Sequence, residues 1–356
     1  TGAQTCTPSA GGFNRLSFHQ PSQKKTSLPT RSLLNELVYQ WYSEHSLSMP
    51  PKIDRVSSPE LAIEQFGSRG DYDMVIALSR MATNSNLIPE ILRIQPATPI
   101  ALLALTPSEL TASGTLVDAS LRLNVNKRLL WEKSHDSDGR VLEAAKGGAK
   151  PIGADAWIWP FMWQGSPSLF TAMFKAVEDR INCLHDSEYG VGTIMVVEDS
   201  VKFYSSYLPI LYSELWRQNQ LIQGETMQTR ERILRLHSRP KVLICTNFEE
   251  ALDVYDRYRD HMLGVITDMG FPKDGVHMKT AGLQFTAYVK EQQPELPVLM
   301  QSASAEDSPE ANAARGLGAK YVCKESQTLL TRLRDYMRED LMFGPLHFED
   351  GVTGKR

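Results

Sequence analysis

An α/β pattern that occurs twice constrains this chain more than any other feature. Short apolar runs of four to six residues alternate with helical patterns over most of its length. Runs that short, separated by helix-length segments, form βαβ units over a parallel sheet. The segment Asp73-Met-Val-Ile-Ala-Leu78 is echoed by Leu263-Gly-Val-Ile-Thr-Asp268, residues 96–105 by 294–303, and Phe161-Met-Trp-Gln-Gly-Ser166 by Tyr321-Val-Cys-Lys-Glu-Ser326. An amphipathic helix follows each of the last pair, at 169–181 and 329–337. The repeat marks two copies of one unit, divided near 186–190. In the second copy, strands are expected at 193–197, 242–245, 264–267, 298–301 and 321–323. Right-handed crossovers between sequential strands leave a flavodoxin-like order, 2-1-3-4-5. The expected fold is α/β, with two doubly wound, five-stranded parallel sheets in tandem.

The spacing also places the irregular segments. Residues 1–30 are rich in Ser, Thr, Gly, Pro and Gln and are expected to be disordered or loosely attached. The first copy spans 31–186 with an insertion at about 113–155, because the offset between copies drops from 198 at Pro99 to 160 at Phe161. The second copy spans 191–340, and 341–356 read as a tail or linker. Its first helix is elongated: 201–236 is expected to be mainly one helix of ~54 Å, bent at Pro209 and broken at Gly224. Projecting beyond the sheet, its apolar stripe would serve a partner or a homodimer.

Composition excludes whole classes of function. Of 356 residues 42% are apolar, and 38 basic against 42 acidic residues leave a net charge of -4, with no basic stripe for nucleic acid. No apolar run approaches the ~20 residues of a membrane helix. Cys6, Cys183, Cys245 and Cys323 match no metal pattern or disulfide framework, and Cys245 and Cys323 read as small buried thiols of a reducing, cytoplasmic protein. The first thirty residues lack the apolar core of a secretory signal, and a chain starting at Thr1 reads as an excerpt or a processed product. Lys146-Gly-Gly-Ala-Lys150 lacks the spacing of a phosphate loop, and Asp136-Ser-Asp-Gly139 lacks the closing glutamate of a calcium loop. Trp157, Trp159 and Trp163 read as half-buried strand packing, and the eight histidines as surface or core.

Chemistry in such a sheet gathers at the carboxyl ends of the strands. In the second copy these ends carry Glu198 and Asp199, then Asp268, then Ser302, then Lys324. Three converging carboxylates repel unless a cation neutralises them, and a hard divalent ion such as Mg²⁺ suits oxygen ligands. A lysine beside a hydroxyl suits a phosphoryl group, with a carboxylate as its nucleophilic acceptor.

Val196-Val-Glu-Asp-Ser200, Thr267-Asp-Met-Gly-Phe-Pro272, Met300-Gln-Ser-Ala303 and Tyr321-Val-Cys-Lys324 resemble the motifs of response-regulator (CheY-like) receiver domains, over roughly 191–337. The resemblance implies that Asp268 is the phospho-acceptor. It implies that Glu198, Asp199, Asp268 and the backbone carbonyl of Gly270 hold Mg²⁺, and that Ser302 and Lys324 contact the phosphoryl group. Tyr321 stands where the family's switch aromatic changes rotamer, and Pro272 also matches. Glu325 replaces the proline that usually follows the lysine in a cis peptide, so that turn is either trans or strained. More narrowly, 203–215 and 261–268 resemble the receiver region ahead of phosphoenolpyruvate synthase or pyruvate phosphate dikinase-like proteins. In the first copy, Leu78, Ala104 and Gln164 stand at the acceptor, hydroxyl and lysine positions, and neither an acidic pair nor a clear first strand is visible; it resembles a degenerate pseudo-receiver.

The implied function is two-component phosphorelay signalling by a phosphoprotein that is not itself an enzyme. A histidine kinase or phosphotransfer protein would be the donor. The alternatives are a non-catalytic regulatory fragment of a dikinase-like enzyme, with a C-terminal nucleotide-binding domain as partner, and a phosphorylation-independent docking scaffold.

Overall fold

A computed structural model describes residues 15–19, 35–36, 38–40, 51–69, 72–96, 98–110, 158–223 and 239–341. The described residues form two compact units, divided between Pro167 and Ser168. The insertion expected at 113–155, the tail beyond 341, Trp157, Cys6 and the continuation of the long helix past 223 lie outside the described residues.

In the first unit, β1 (Arg15–His19), β2 (Lys52–Val56), β3 (Met74–Leu78), β4 (Ile100–Ala104) and β5 (Ile158–Met162) form one parallel sheet in the order β2-β1-β3-β4-β5. Strands β3 and β4 are buried at every residue, as a parallel sheet covered on both faces requires. Helices α1 (Pro59–Arg69), α2 (Ser79–Thr83) and α3 (Leu87–Ile94) connect the strands. The core includes Phe66 stacked on Tyr72 at 5.3 Å. Trp159 and Trp163 are half-buried, as expected.

Two expectations need correction here. Strand β1 lies within the stretch expected to be loosely attached; its alternation, Arg-Leu-Ser-Phe-His, is too short to stand out from a polar neighbourhood. The repeat alignment at the fifth strand also slips by one residue. Trp163 donates its N–H to the Ala104 carbonyl at 2.8 Å, as Lys324 donates to that of Ser302 at 2.7 Å. Trp163, not Gln164, therefore occupies the lysine position. Matching aromatics, Phe161 to Tyr321, misled the alignment.

The second unit opens with α4 (Ser168–Ser187), followed by β6 (Thr193–Val197), α5 (Val201–Gln223), β7 (Lys241–Cys245), α6 (Phe248–Tyr258) and β8 (Met262–Asp268). A two-stranded ribbon, β9 (Phe271–Lys273) and β10 (Val276–Met278), precedes α7 (Ala281–Gln292). Then come β11 (Val298–Ser302), α8 (Pro309–Gly316), β12 (Lys320–Cys323) and α9 (Leu329–Asp335), which runs on into a π-helical turn. The parallel sheet has the order β12-β11-β8-β6-β7. Counted along this unit that is 2-1-3-4-5, the flavodoxin-like arrangement. Sequence-specific caps start two helices: Asn247 accepts the Glu250 N–H before α6, and Ser308 accepts that of Ala311 before α8, with Pro309 next in line. Cys183 and Cys245 are buried free thiols, whereas Cys323 is only half-buried.

Helix α5 runs 23 residues through Pro209, about 34 Å. Its apolar stripe is not exposed as expected. Tyr204, Tyr207, Leu208, Leu211, Tyr212, Leu215 and Trp216 are all buried, so the helix packs along the unit at least to Gln218 instead of projecting from it.

Helix α4, expected to close the first copy, groups with the second unit. A buried clasp explains why. Asp179 is fully buried and accepts hydrogen bonds from Arg239 at 2.5 and 3.0 Å, from the Tyr212 hydroxyl at 2.9 Å and from the Val242 N–H at 2.9 Å. One carboxylate thus ties α4 to α5 and to the start of β7. Asp179→Ala would strand a buried guanidinium and two further donors, so urea denaturation is expected to show a loss of about 3–5 kcal/mol. A loss below about 1 kcal/mol would contradict this account.

Candidate functional site

The site forms where β6, β8 and β12 end at the same edge of the second sheet. The Glu198 N–H extends the ladder by donating to the Cys245 carbonyl at 2.9 Å, so Glu198 leaves the sheet fully buried. Its Oε1 accepts the Ser200 N–H at 3.1 Å, which turns the chain into α5. Asp199 follows, half-buried. Asp268 is the last residue of β8, and its Oδ1 accepts the Met269 N–H at 2.7 Å. That backbone is fixed from above: Gly282 donates to the Met269 carbonyl at 2.8 Å, and a Cβ at Gly282 would lie 2.9 Å from the Met269 Cα. Only glycine lets α7 start this close to the strand end.

Lys324, one residue beyond β12, closes the site. Its Nζ lies 2.7 Å from Glu198 Oε2 and 2.7 Å from Asp268 Oδ2. The ammonium also sits 4.5 Å from the ring centroid of Phe203, in the first turn of α5. Oxygens of Glu198, Asp199 and Asp268 all fall within 4.8 Å of one another. The structure thus brings together all four residues that the sequence placed at these strand ends.

Burial and charge crowding set the protonation of this cluster. Burial pushes Glu198 up to about 8, Lys324 pulls against it, and the nearby Asp268 charge pushes further. Asp199 is raised by burial and by Asp268, against the opposing pull of His277 and Lys324.

The remaining predicted residues surround this group. Ser302 ends β11, and its Oγ accepts the Ser304 N–H at 3.2 Å. Tyr321 is turned inward, 8% exposed, and its hydroxyl donates to the Ser304 carbonyl at 2.8 Å. The space beside Gly270 is filled, since a Cβ there would meet His277 at 3.1 Å and the Lys279 Cα at 3.3 Å. That glycine admits the ribbon and does not leave room for an incoming donor. Pro272 lies in β9. Glu325 is exposed, and no peptide bond among the described residues is cis, so the turn after Lys324 is trans.

Sequence reasoning missed the ribbon and His277 on it. His277 Nε2 lies 3.9 Å from Asp199 Oδ2, which makes it a neighbour of the acidic cluster and not a bystander. The signal was present as Asp274-Gly275, a strong hairpin dipeptide. Both residues take positive φ, 52° and 77°. Phe203 and Tyr207 were also missed; they stand four and eight residues after Asp199, a helical stripe that begins at the site.

Among the described residues, the first unit has no such group at its strand ends. Leu78 and Ala104, both buried, end β3 and β4, and Trp163 follows β5. Gln20 and Pro21 follow β1 in the sequence where the second unit has its acidic pair.

No family model matches the chain, and no curated protein matches it. Among solved structures, one described as a two-component system response regulator/GGDEF domain protein is 12% identical and has a TM-score of 0.31, covering 92% of this chain and 98% of its own. A likeness at that level carries no argument. No described helix is long and apolar enough to cross a membrane.

A proton competes for this site. Folding raises the Glu198 pKa from its ordinary 4.5 to about 8, so the native state binds a proton that the unfolded chain releases. Cation-free stability should therefore fall as pH rises through that window. Urea midpoints are expected to show this slope in the wild type and lose it in Glu198→Gln; an unchanged slope in the variant would contradict the assignment.

Proposed function

We propose that the second unit is a receiver module in which Asp268 accepts a phosphoryl group in a Mg²⁺-dependent reaction. One observation carries the reading: three clustered carboxylates, two of them bridged by Lys324, at the carboxyl edge of a 2-1-3-4-5 parallel sheet. The donor set is all hard oxygen, as Mg²⁺ prefers. Glu198, Asp199, Asp268 and the Gly270 carbonyl would hold it. When bound, the ion supplies positive charge beside the transferring phosphoryl oxygens.

The chain's own residues do the rest. Asp268 is held by the Met269 N–H and by Gly282 behind it, so its free lone pairs face the crevice. An Asp268 carboxylate oxygen forms the new O–P bond as the bond from phosphorus to the donor breaks, and the electron pair leaves with the donor. Lys324 then exchanges Asp268 Oδ2 for phosphoryl oxygens. The Ser302 hydroxyl uses its Oγ as acceptor from Ser304, leaving its hydrogen for a phosphoryl oxygen. Tyr321 is already inward, so its switching would act through the Ser304 carbonyl it holds.

A histidine kinase or a phosphotransfer protein is the donor, and the module regulates an attached or separate output without being an enzyme itself. The first unit, with Leu78, Ala104 and Trp163 in place of acceptor, hydroxyl and lysine, acts as a receiver-like support that takes no phosphate.

Acetyl phosphate with Mg²⁺ is expected to label the wild type at Asp268. Asp268→Asn should abolish the label, Lys324→Ala should reduce it, and peptide mapping should find none in residues 31–182. Labelling that survives Asp268→Asn or removal of Mg²⁺ would refute the reading.

A further inference from the structure

Tyr207 carries a hydroxyl with no use in the site as described. The residue is fully buried, and its Oη has no hydrogen-bond partner among the described residues. A buried hydroxyl without a partner costs roughly 1–3 kcal/mol, so such a group calls for an explanation.

Its position supplies one. Helix α5 begins directly after Glu198-Asp199-Ser200, and helical side chains lean toward the helix N-terminus. Phe203 and Tyr207, one turn apart, share the face that starts beneath Lys324. The Lys324 ammonium sits 4.5 Å from the Phe203 ring centroid, and that ring stacks on Tyr207 at 6.0 Å. The charges that act on the Tyr207 hydroxyl are those of Glu198 and Asp268. An orphaned donor thus stands in the field of the two carboxylates that Lys324 bridges.

We propose that Tyr207 is a further binding residue of the acidic site, donating its phenolic hydrogen to a water oxygen in the shell of the bound divalent cation. This rests on the reading of Glu198, Asp199 and Asp268 as the cation site, which it deepens. A cation held by carboxylates keeps several of its waters. Those waters are electron-poor hydrogen donors, yet each keeps an oxygen lone pair that a neutral phenol can reach. A further carboxylate in this place would add repulsion; a phenol adds none. In the absence of the cation the hydroxyl has no acceptor among the described residues, and the burial of its ring, stacked on Phe203, offsets its desolvation.

The test separates the hydroxyl from the ring. Wild type, Tyr207→Phe and Asp268→Asn, each as the full chain, are titrated with Mn²⁺ while free Mn²⁺ is read by electron paramagnetic resonance, and each is melted without any cation. Tyr207→Phe is expected to melt at the wild-type temperature or above it and to bind Mn²⁺ about three- to tenfold more weakly, the loss of one net hydrogen bond. Equal or tighter Mn²⁺ binding would overturn the proposal. So would a lower melting temperature or a lost transition without cation, because the hydroxyl would then have a partner in the empty site. If Asp268→Asn binds Mn²⁺ as the wild type does, or neither binds, the cation site itself falls and this role falls with it. If only Asp268→Asn weakens binding, the cation site stands and the role of Tyr207 alone is refuted.

Discussion

Three carboxylates gathered at one sheet edge must be neutralised, and the second unit is organised around that need. Two unit charges at 4 Å interact by about 4 kcal/mol at an effective dielectric near 20, so Glu198, Asp199 and Asp268 would spread apart without a cation among them. Lys324 supplies one, in contact with two of the three. Its placement follows from the sheet. Strand β12 pairs with β11 in parallel register, Ser302 against Cys323, and the next residue donates its N–H back to Ser302. Backbone pairing thus delivers the ammonium, and the Phe203 ring lies beneath it.

The same edge is closed by elements that lie outside the parallel sheet. The β9–β10 ribbon fills the space beside Gly270 and brings His277 to the open side of Asp199. Helix α7 reaches the backbone after Asp268 through Gly282. The acidic group is therefore walled on several sides by tightly approaching backbone, with Glu198 and Lys324 nearly sealed off and Asp199 the more open. Access for a phosphoryl group is expected past Asp199 and Asp268, the two carboxylates that remain partly exposed.

The strand runs of the second unit were legible because each is nearly all apolar, as a sheet buried on both faces demands. The site residues were legible for the same reason: Asp268 and Lys324 interrupt or end apolar runs, and polar groups there have only one place to point. What stayed hidden depends on three-dimensional partners. Strand β1 is recognisable only once β2 and β3 flank it. The one-residue slip at Trp163 is decided by a backbone hydrogen bond, to which side-chain similarity is blind. The membership of α4 follows from Asp179, whose four hydrogen bonds come from residues far along the chain. The Asp-Gly turn was in plain view, but a short ribbon outside the main sheet leaves little periodicity to read.

The arrangement also bounds what the proposed phosphorylation could change. Lys324 already has two carboxyl partners and Tyr321 is already inward with its hydroxyl bonded, so the resting state is well satisfied. A phosphoryl group on Asp268, as proposed, would add oxygens for Lys324 and Ser302 but remove one carboxylate contact and leave Glu198 with a weakened partner. Only the difference between these sets of contacts can drive a shift in conformation. Glu198 makes that difference larger than a surface carboxylate would, because its burial makes any loss of compensating charge costly. On the proposed reading, the size of any such shift would be set less by the contacts the phosphoryl group gains than by how the buried glutamate is satisfied once Lys324 is shared with that group.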